Sequence, residues 1–194
     1  MSKNKPKPVL YRRKRERKTN YTKRLHLLLS NKVRLVVRIS NHRLVGQLVE
    51  FTPQGDKVLV GTDSFALKKL GWKYSCKNFP AAYLTGLLLG KKAQENGLKN
   101  AILDTGFTSP LKQGKIYAFL KGVVDSGLEV PHDESIFPDE KRLAGEHIKA
   151  YALTLKDNKE VYELRFSQYL KDKVQPEEIV KGFEEVKKKI MVNN

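Results

Sequence analysis

The spacing of apolar residues changes several times along the chain, and each change marks an element. Leu25, Leu28 and Leu29 recur at helical spacing behind Lys23 and Arg24, which predicts a short helix over residues 21–30. The period then drops to two. Val33, Leu35, Val37 and Ile39 face one way, and Arg34, Val36, Arg38 and Ser40 face the other, as in a half-buried strand. Asn41 and His42 suit a tight turn, residues 44–51 a second strand, residues 52–56 another turn, and residues 57–62 a third strand. Three consecutive strands joined by short turns make an antiparallel meander.

The next block is helical. Pro80 suits a first helical turn and Gly97 a stop, with Lys91 and Lys92 in the later part. Ala82, Gly86 and Gly90 recur every four residues and predict a smooth strip able to lie close to a sheet. Residues 101–104 read as a short buried strand. A helix over 111–126 follows, with Ile116, Phe119, Leu120, Val123 and Val124 on one face. Strand, helix, strand implies a right-handed crossover.

Beyond Pro131, Pro138-Asp139-Glu140 opens one helix and Pro176-Glu177-Glu178 another. The last one carries Ile179, Phe183, Val186 and Ile190 on its apolar face and ends in Lys187–Lys189, the charge order a helix dipole favours. This tail packs on the body or on a partner. The expected fold is α/β: a mixed sheet with the three-stranded meander and crossover helices, a basic N-terminal arm and a helical C-terminal extension. The boundaries fall at 1–24, 25–135 and 136–194.

Charge sharpens this picture. The 194 residues carry 38 Lys+Arg against 21 Asp+Glu, a net charge of +17, of which residues 1–24 hold +10 through eleven cations and Glu16. A 40% hydrophobic content is enough for a core. So basic a surface repels itself unless a polyanion neutralises it. A membrane is a poor candidate, since no stretch nears the roughly 18–20 apolar residues of a span. No apolar segment follows the first basic residues as in a secretory signal. The three lysines and two prolines of residues 1–8 make a poor presequence helix. Cys76 is the only cysteine, so it forms no internal disulfide and suits a reducing compartment, the cytoplasm by default.

Nucleic acid is the polyanion that remains. Each cation set along a phosphate backbone releases a condensed counterion. Arginine predominates between Arg12 and Arg17, and its planar fork suits bidentate phosphate contacts. Tyr11 and Tyr21 offer faces for unpaired bases. A solvated tail or a localisation signal is the plainer reading of a lone basic run. Here the run leads into an amphipathic stretch and cations recur in the body, which favours nucleic acid.

Catalytic constellations are weak. Asp104-Thr105-Gly106 after two apolar residues, with Asp125-Ser126-Gly127 further on, imitates an aspartic protease signature. A gap of 21 residues supplies no two symmetric lobes, and each triplet reads as an element end. His26, His42, His132 and His147 stand apart and show no metal-ligand spacing. No phosphate-cradling glycine loop is present. Neither cofactor, metal nor small-molecule substrate is expected. Trp72 reads equally as core or as a base-stacking platform. Lys68 and Lys69 read as the solvated face of a short helix or, with nearby Lys73 and Lys77, as a second basic patch.

These segments together resemble a known family. They include residues 11–18 with Asn20-Tyr21 and Arg24-Leu25, the run from Arg34 to Asn41, Gln47-Leu48-Val49, Gly71-Trp72, the run from Ala82 to Leu88, Leu103-Asp104-Thr105-Gly106, Ser109-Pro110, the run from Gly127 to His132, and Gly145-Glu146-His147-Ile148. In that order they resemble ribosomal protein eighteen of the large subunit, whose eukaryotic counterpart is large-subunit protein five. The tail looks like the archaeal form. The resemblance implies a ribosomal protein, not an enzyme, that binds 5S ribosomal RNA and docks it onto large-subunit RNA in the central protuberance, beside neighbouring ribosomal proteins. Among the residues expected to contact RNA, Arg12, Arg13, Lys14, Arg15, Arg17, Lys18 and Arg24 neutralise phosphates and Tyr21 stacks. Arg34, Arg38, Asn41 and His42 present a polar sheet face and its hairpin, with Lys68, Lys69 and Lys73 as a further patch. The competing readings are a general nucleic-acid chaperone or DNA-binding protein, and a small hydrolase using Asp104.

Overall fold

The computed structural model describes residues 8–192; the first seven residues of the expected arm lie outside them. Two short helices come first, α1 (Arg12–Arg15) and α2 (Tyr21–Leu28). Strands β1 (Arg34–Ile39), β2 (Leu44–Thr52) and β3 (Gly55–Asp63) follow, then the short helix α3 (Ala66–Lys69) and the long α4 (Phe79–Glu95). Next come β4 (Ile102–Asp104) and α5 (Lys115–Asp125). Helices α6 (Glu140–Ala144), α7 (Glu146–Leu155), α8 (Lys159–Lys171) and α9 (Ile179–Val192) complete the chain.

The sheet order is β3-β2-β1-β4, with β1–β2 and β2–β3 antiparallel and β1–β4 parallel. The meander and the mixed sheet are therefore as expected. Register pairs Leu35 with Leu48 and Val37 with Gly46 on one face, and Arg34 with Val49 and Val36 with Gln47 on the other. The first face is buried by α4 and α5. Leu35, Leu44, Leu48, Leu84 and Leu87 are fully enclosed there, each contributing about 1.5–3 kcal/mol of burial.

Helix α4 starts where its residues dictate. The Asn78 side chain accepts the Ala81 N–H at 2.8 Å, and Pro80 occupies the first turn, where its missing N–H costs nothing. The glycine strip of α4 does not lie on the sheet. A Cβ at Gly86 would collide with the Phe119 carbonyl, and one at Gly122 with the Tyr83 carbonyl. The strip therefore seats α5 backbone to backbone. The sheet is met by large side chains instead: Phe119 and Leu89 converge on Gly46, which has no side chain to displace them. Helix α5 begins at Lys115, four residues later than its apolar pattern suggests. Leu111–Gly114 forms a turn first, with Gln113 at φ 56°.

The tail folds onto the body. Gly145, at φ 93°, turns α6 into α7 close to the ring of Pro80 and to Ile179. Ile179, Phe183, Val186 and Ile190 belong to the same core as α4 and the sheet. Phe183 packs at a tilt against Tyr83, ring centroids 5.6 Å apart, and Lys189 Nζ donates to the Leu70 carbonyl at 3.0 Å. Between α6 and α9 lie α7 and α8, which the apolar pattern does not separate. Helix α8 is capped by Asn158, whose side chain accepts the Val161 N–H, and is kinked at Phe166 (φ −107°, ψ 19°). Trp72 is core, with its indole N–H on the Ser75 carbonyl at 3.2 Å.

Candidate nucleic-acid interface

The open face of the sheet is covered by the basic arm. After α1 the chain reverses at Arg17 (φ 52°), and the N–H groups of Lys18 and Thr19 return to the Arg13 carbonyl at 2.8 and 3.2 Å. Arg13 Nε donates to Thr19 Oγ1 at 2.8 Å, and Asn20 caps α2 by accepting the Lys23 N–H at 3.0 Å. Tyr11 and Tyr21 lie 5.4 Å apart. Arm and sheet enclose a cleft of about 210 Å³, lined by six cations (Arg13, Lys18, Lys23, Arg24, Arg34, Arg38) against two carboxylates, Asp56 and Asp104.

Those two carboxylates hold the arm in place. Arg24 grips Asp56 with both terminal nitrogens, at 2.8 and 2.7 Å, a bidentate geometry among the strongest available. Arg34 Nη2 lies 2.8 Å from the same carboxylate, and Arg34 Nη1 donates to Asp104 at 2.9 Å. Arg38 donates to the Asp104 and Val37 carbonyls at 2.9 and 2.8 Å, and its Nη2 lies 3.6 Å from the Asp104 carboxylate. Lys23 Nζ donates to Thr105 Oγ1 at 2.7 Å, fastening α2 to the loop after β4. Burial pushes the Asp56 carboxyl up, but the hydrogen bonds and charges of Arg24 and Arg34 outweigh it and hold it below the ordinary range. The Arg24 guanidinium is held above its ordinary value, chiefly by its hydrogen bonds to Asp56.

Asp56 reaches this face through a register slip. Leu48 pairs with Val60 but Val49 pairs with Val58, so Leu59 is left over. One extra residue exchanges the two faces of the strand beyond it. Without the slip, Asp56 would share the core side with Val60. Asp104 arrives from β4, whose parallel register sets it beside Val36. Gly106, at φ 63°, completes the Asp104-Thr105-Gly106 turn, and its N–H donates to Asp104 Oδ1 at 2.8 Å. A Cβ there would come within 3.0 Å of the Arg38 guanidinium.

The expected RNA residues therefore occupy three kinds of place. Arg12, Arg13, Lys14, Arg15, Arg17 and Lys18 are exposed on the arm. Among the described residues, Lys14, Arg15 and Arg17 meet no carboxylate, whereas Arg12 and Lys18 approach Glu16 at 4.0 and 2.8 Å. Tyr21 is exposed, and Arg24 is partly exposed with both terminal nitrogens engaged by Asp56. Arg34 is a correction. Its alternation is right, but the arm buries it to 2% exposure and two carboxylates engage it, so it faces no solvent. Arg38 stays half-open at the cleft edge. Asn41 and His42 form the exposed β1–β2 hairpin tip, and Lys68 and Lys69 of α3 and Lys73 just after it are also exposed. None of these five lines the arm cleft. Lys23, Asp56 and Asp104 do, and Thr105 accepts from Lys23 beside it; sequence reading assigned none of these four to the interface. Only strand parity hinted at them, by setting Arg34 and Arg38 on one face.

The catalytic alternative finds no shared site. Asp104 is tied to Arg34, while Asp125 accepts from Tyr83 Oη at 2.9 Å and pairs with Lys121 at 2.9 Å. Among the described residues no cluster of His, Cys, Asp or Glu suits a metal ion, and no helix is long and apolar enough to cross a membrane.

Comparison with known proteins identifies the class of protein. The family of ribosomal large subunit proteins 60S L5 and 50S L18 matches residues 7–100, which hold most of the arm, the meander and α4. The large ribosomal subunit protein uL18 of Caldivirga maquilingensis, an archaeal relative, is 50% identical over 185 residues, covering 94% of this chain and 89% of its own length. The chain is thus a structural protein of the large ribosomal subunit and not an enzyme. It belongs to the uL18 family.

Proposed function

We propose that this chain binds 5S ribosomal RNA and helps attach it to large-subunit ribosomal RNA in the central protuberance, among neighbouring large-subunit proteins. The observation that carries the reading is the arm itself. Its cations Lys14, Arg15 and Arg17 meet no carboxylate among the described residues, while Arg24 and Lys23 fix the arm to the sheet. A flexible basic tail loses conformational freedom when it binds; a tail already pinned at its base loses less. Arg34, Asp56 and Asp104 act as positioning groups beneath it. The arm (1–24), the sheet body (25–135) and the tail (136–194) are proposed as the three working parts.

Filter binding of 5S RNA, an unrelated folded RNA and duplex DNA tests the reading. A preference for 5S RNA is the expected result. Equal affinity for all three would replace it with a general nucleic-acid binder.

A further inference from the structure

A second surface lies away from the arm cleft and shares no lining residue with it. The β1–β2 hairpin tip, α3 and the Lys73–Cys76 loop form one wall. Helices α7 and α8 form the other, leaving a groove of about 860 Å³, a size typical of sites that take ligands. Its base is an aromatic series. Phe166, turned inward by the kink in α8, lies 6.0 Å from both Tyr151 and Tyr169, and Tyr169 meets Tyr74 edge-on at 5.8 Å. The Ser75 N–H donates to Tyr169 Oη at 3.3 Å, which ties the loop to α8.

Tyr151 is 47% exposed at the edge of this series. Lys68, Lys73 and Arg165 also line the groove, against a single carboxylate, Asp172. Past His147 the rim continues to Phe79, 5.8 Å away, with Arg142 and Lys115 at 4.6 and 6.0 Å from that ring. Among the described residues none of these five cations has a carboxylate partner. Burial, with a smaller contribution from the Arg142 charge, also holds the His147 imidazole below its ordinary value. Aromatic rings and Arg also occur at protein interfaces, where Lys is depleted; here two lysines and Arg165 face a single carboxylate, a balance that favours a polyanion. Exposed rings beside unneutralised cations suit bases and phosphates.

We infer that this groove takes an unpaired segment of RNA, with one base stacked on Tyr151 and its phosphates on Lys68, Lys73 and Arg165. This rests on the RNA-binding reading and adds a base-stacking site to it, separate from the arm.

The test titrates the full chain with a labelled oligouridylate and with an RNA duplex of the same length. Tyr151→Ala is expected to weaken the single strand by about tenfold or more and to leave the duplex unchanged, with Tyr151→Phe restoring the parent affinity. The Lys68→Ala/Lys73→Ala variant, altered only at exposed positions, should also weaken the single strand. Unchanged single-strand affinity in Tyr151→Ala, or an equal loss on strand and duplex, overturns the assignment. So does a Tyr151→Ala chain that binds the strand normally but fails to take up a neighbouring protein in subunit reconstitution. Failure of the 5S reading shows instead in the parent chain, as the absence of any preference for 5S RNA over unrelated RNA.

Discussion

Replacing Asp56 by Asn keeps the volume and one acceptor oxygen but removes the charge between Arg24 and Arg34. The Arg24 side of the pair is about one-third exposed, so water screens it, and its loss costs about 0.5–1 kcal/mol. Arg34 is different because its side chain is 3% exposed. Removing one partner of a buried pair costs about 3–5 kcal/mol when the other is left unpaired, but Asp104 still holds Arg34 at 2.9 Å, so roughly half of that is expected. The sum is about 2–3.5 kcal/mol, equivalent to a fall in Tm of about 4–14 °C for a chain of this size. Thermal unfolding at pH 7 measures it.

The effect also has a pH signature. The folded pKa of Asp56 lies below its unfolded value. Its stabilisation is therefore complete above the unfolded carboxylate value of about 3.9 and is lost as pH falls through the folded value. Parent and Asp56→Asn should differ by a constant amount from pH 7 down to about 5 and converge only in stronger acid. A variant that melts within about 1 °C of the parent at pH 7 would refute the claim that Asp56 joins arm to sheet.

Deleting residues 1–20 should flatten the dependence of log affinity for 5S RNA on log salt, from a slope of roughly −5 to −9 expected for about 6–10 phosphate contacts; an unchanged slope would place the phosphate contacts elsewhere. Arg13→Lys keeps the charge but loses the Nε bond to Thr19, so RNA binding should weaken several-fold in the same titration, and equal affinity would show that only charge matters there. Gly86→Ala should destabilise by about 1–3 kcal/mol or more in denaturant unfolding, because the new methyl meets the Phe119 carbonyl across the α4–α5 contact.

The charge imbalance of the first 24 residues and the meander were legible because they are local. A cation run needs no tertiary contact to be basic, and a period of two identifies a strand wherever it lies. The apolar stripes of α5 and α9 were legible for the same reason. Helix α8 was not, since Val161, Leu164, Phe166 and Leu170 point around its axis and its single kink breaks the period. The glycine strip was visible, but not what it faces, because a sheet and a helix both accept a surface without side chains.

The candidate interface divides along the same line. Sequence alone determined that a basic arm precedes a sheet with one polar face, and that Arg34 and Arg38 share that face. Tertiary structure decided that the arm lies on the sheet, which turns Arg34 from an exposed cation into a buried anchor. It also decided that the slip at Leu59 delivers Asp56, and that Asp104-Thr105-Gly106 is a seat for Lys23 and Arg38. Burial and pairing depend on what covers a surface, and here the covering segments lie between 22 and 82 residues apart in the chain. Local periodicity carries no record of that distance.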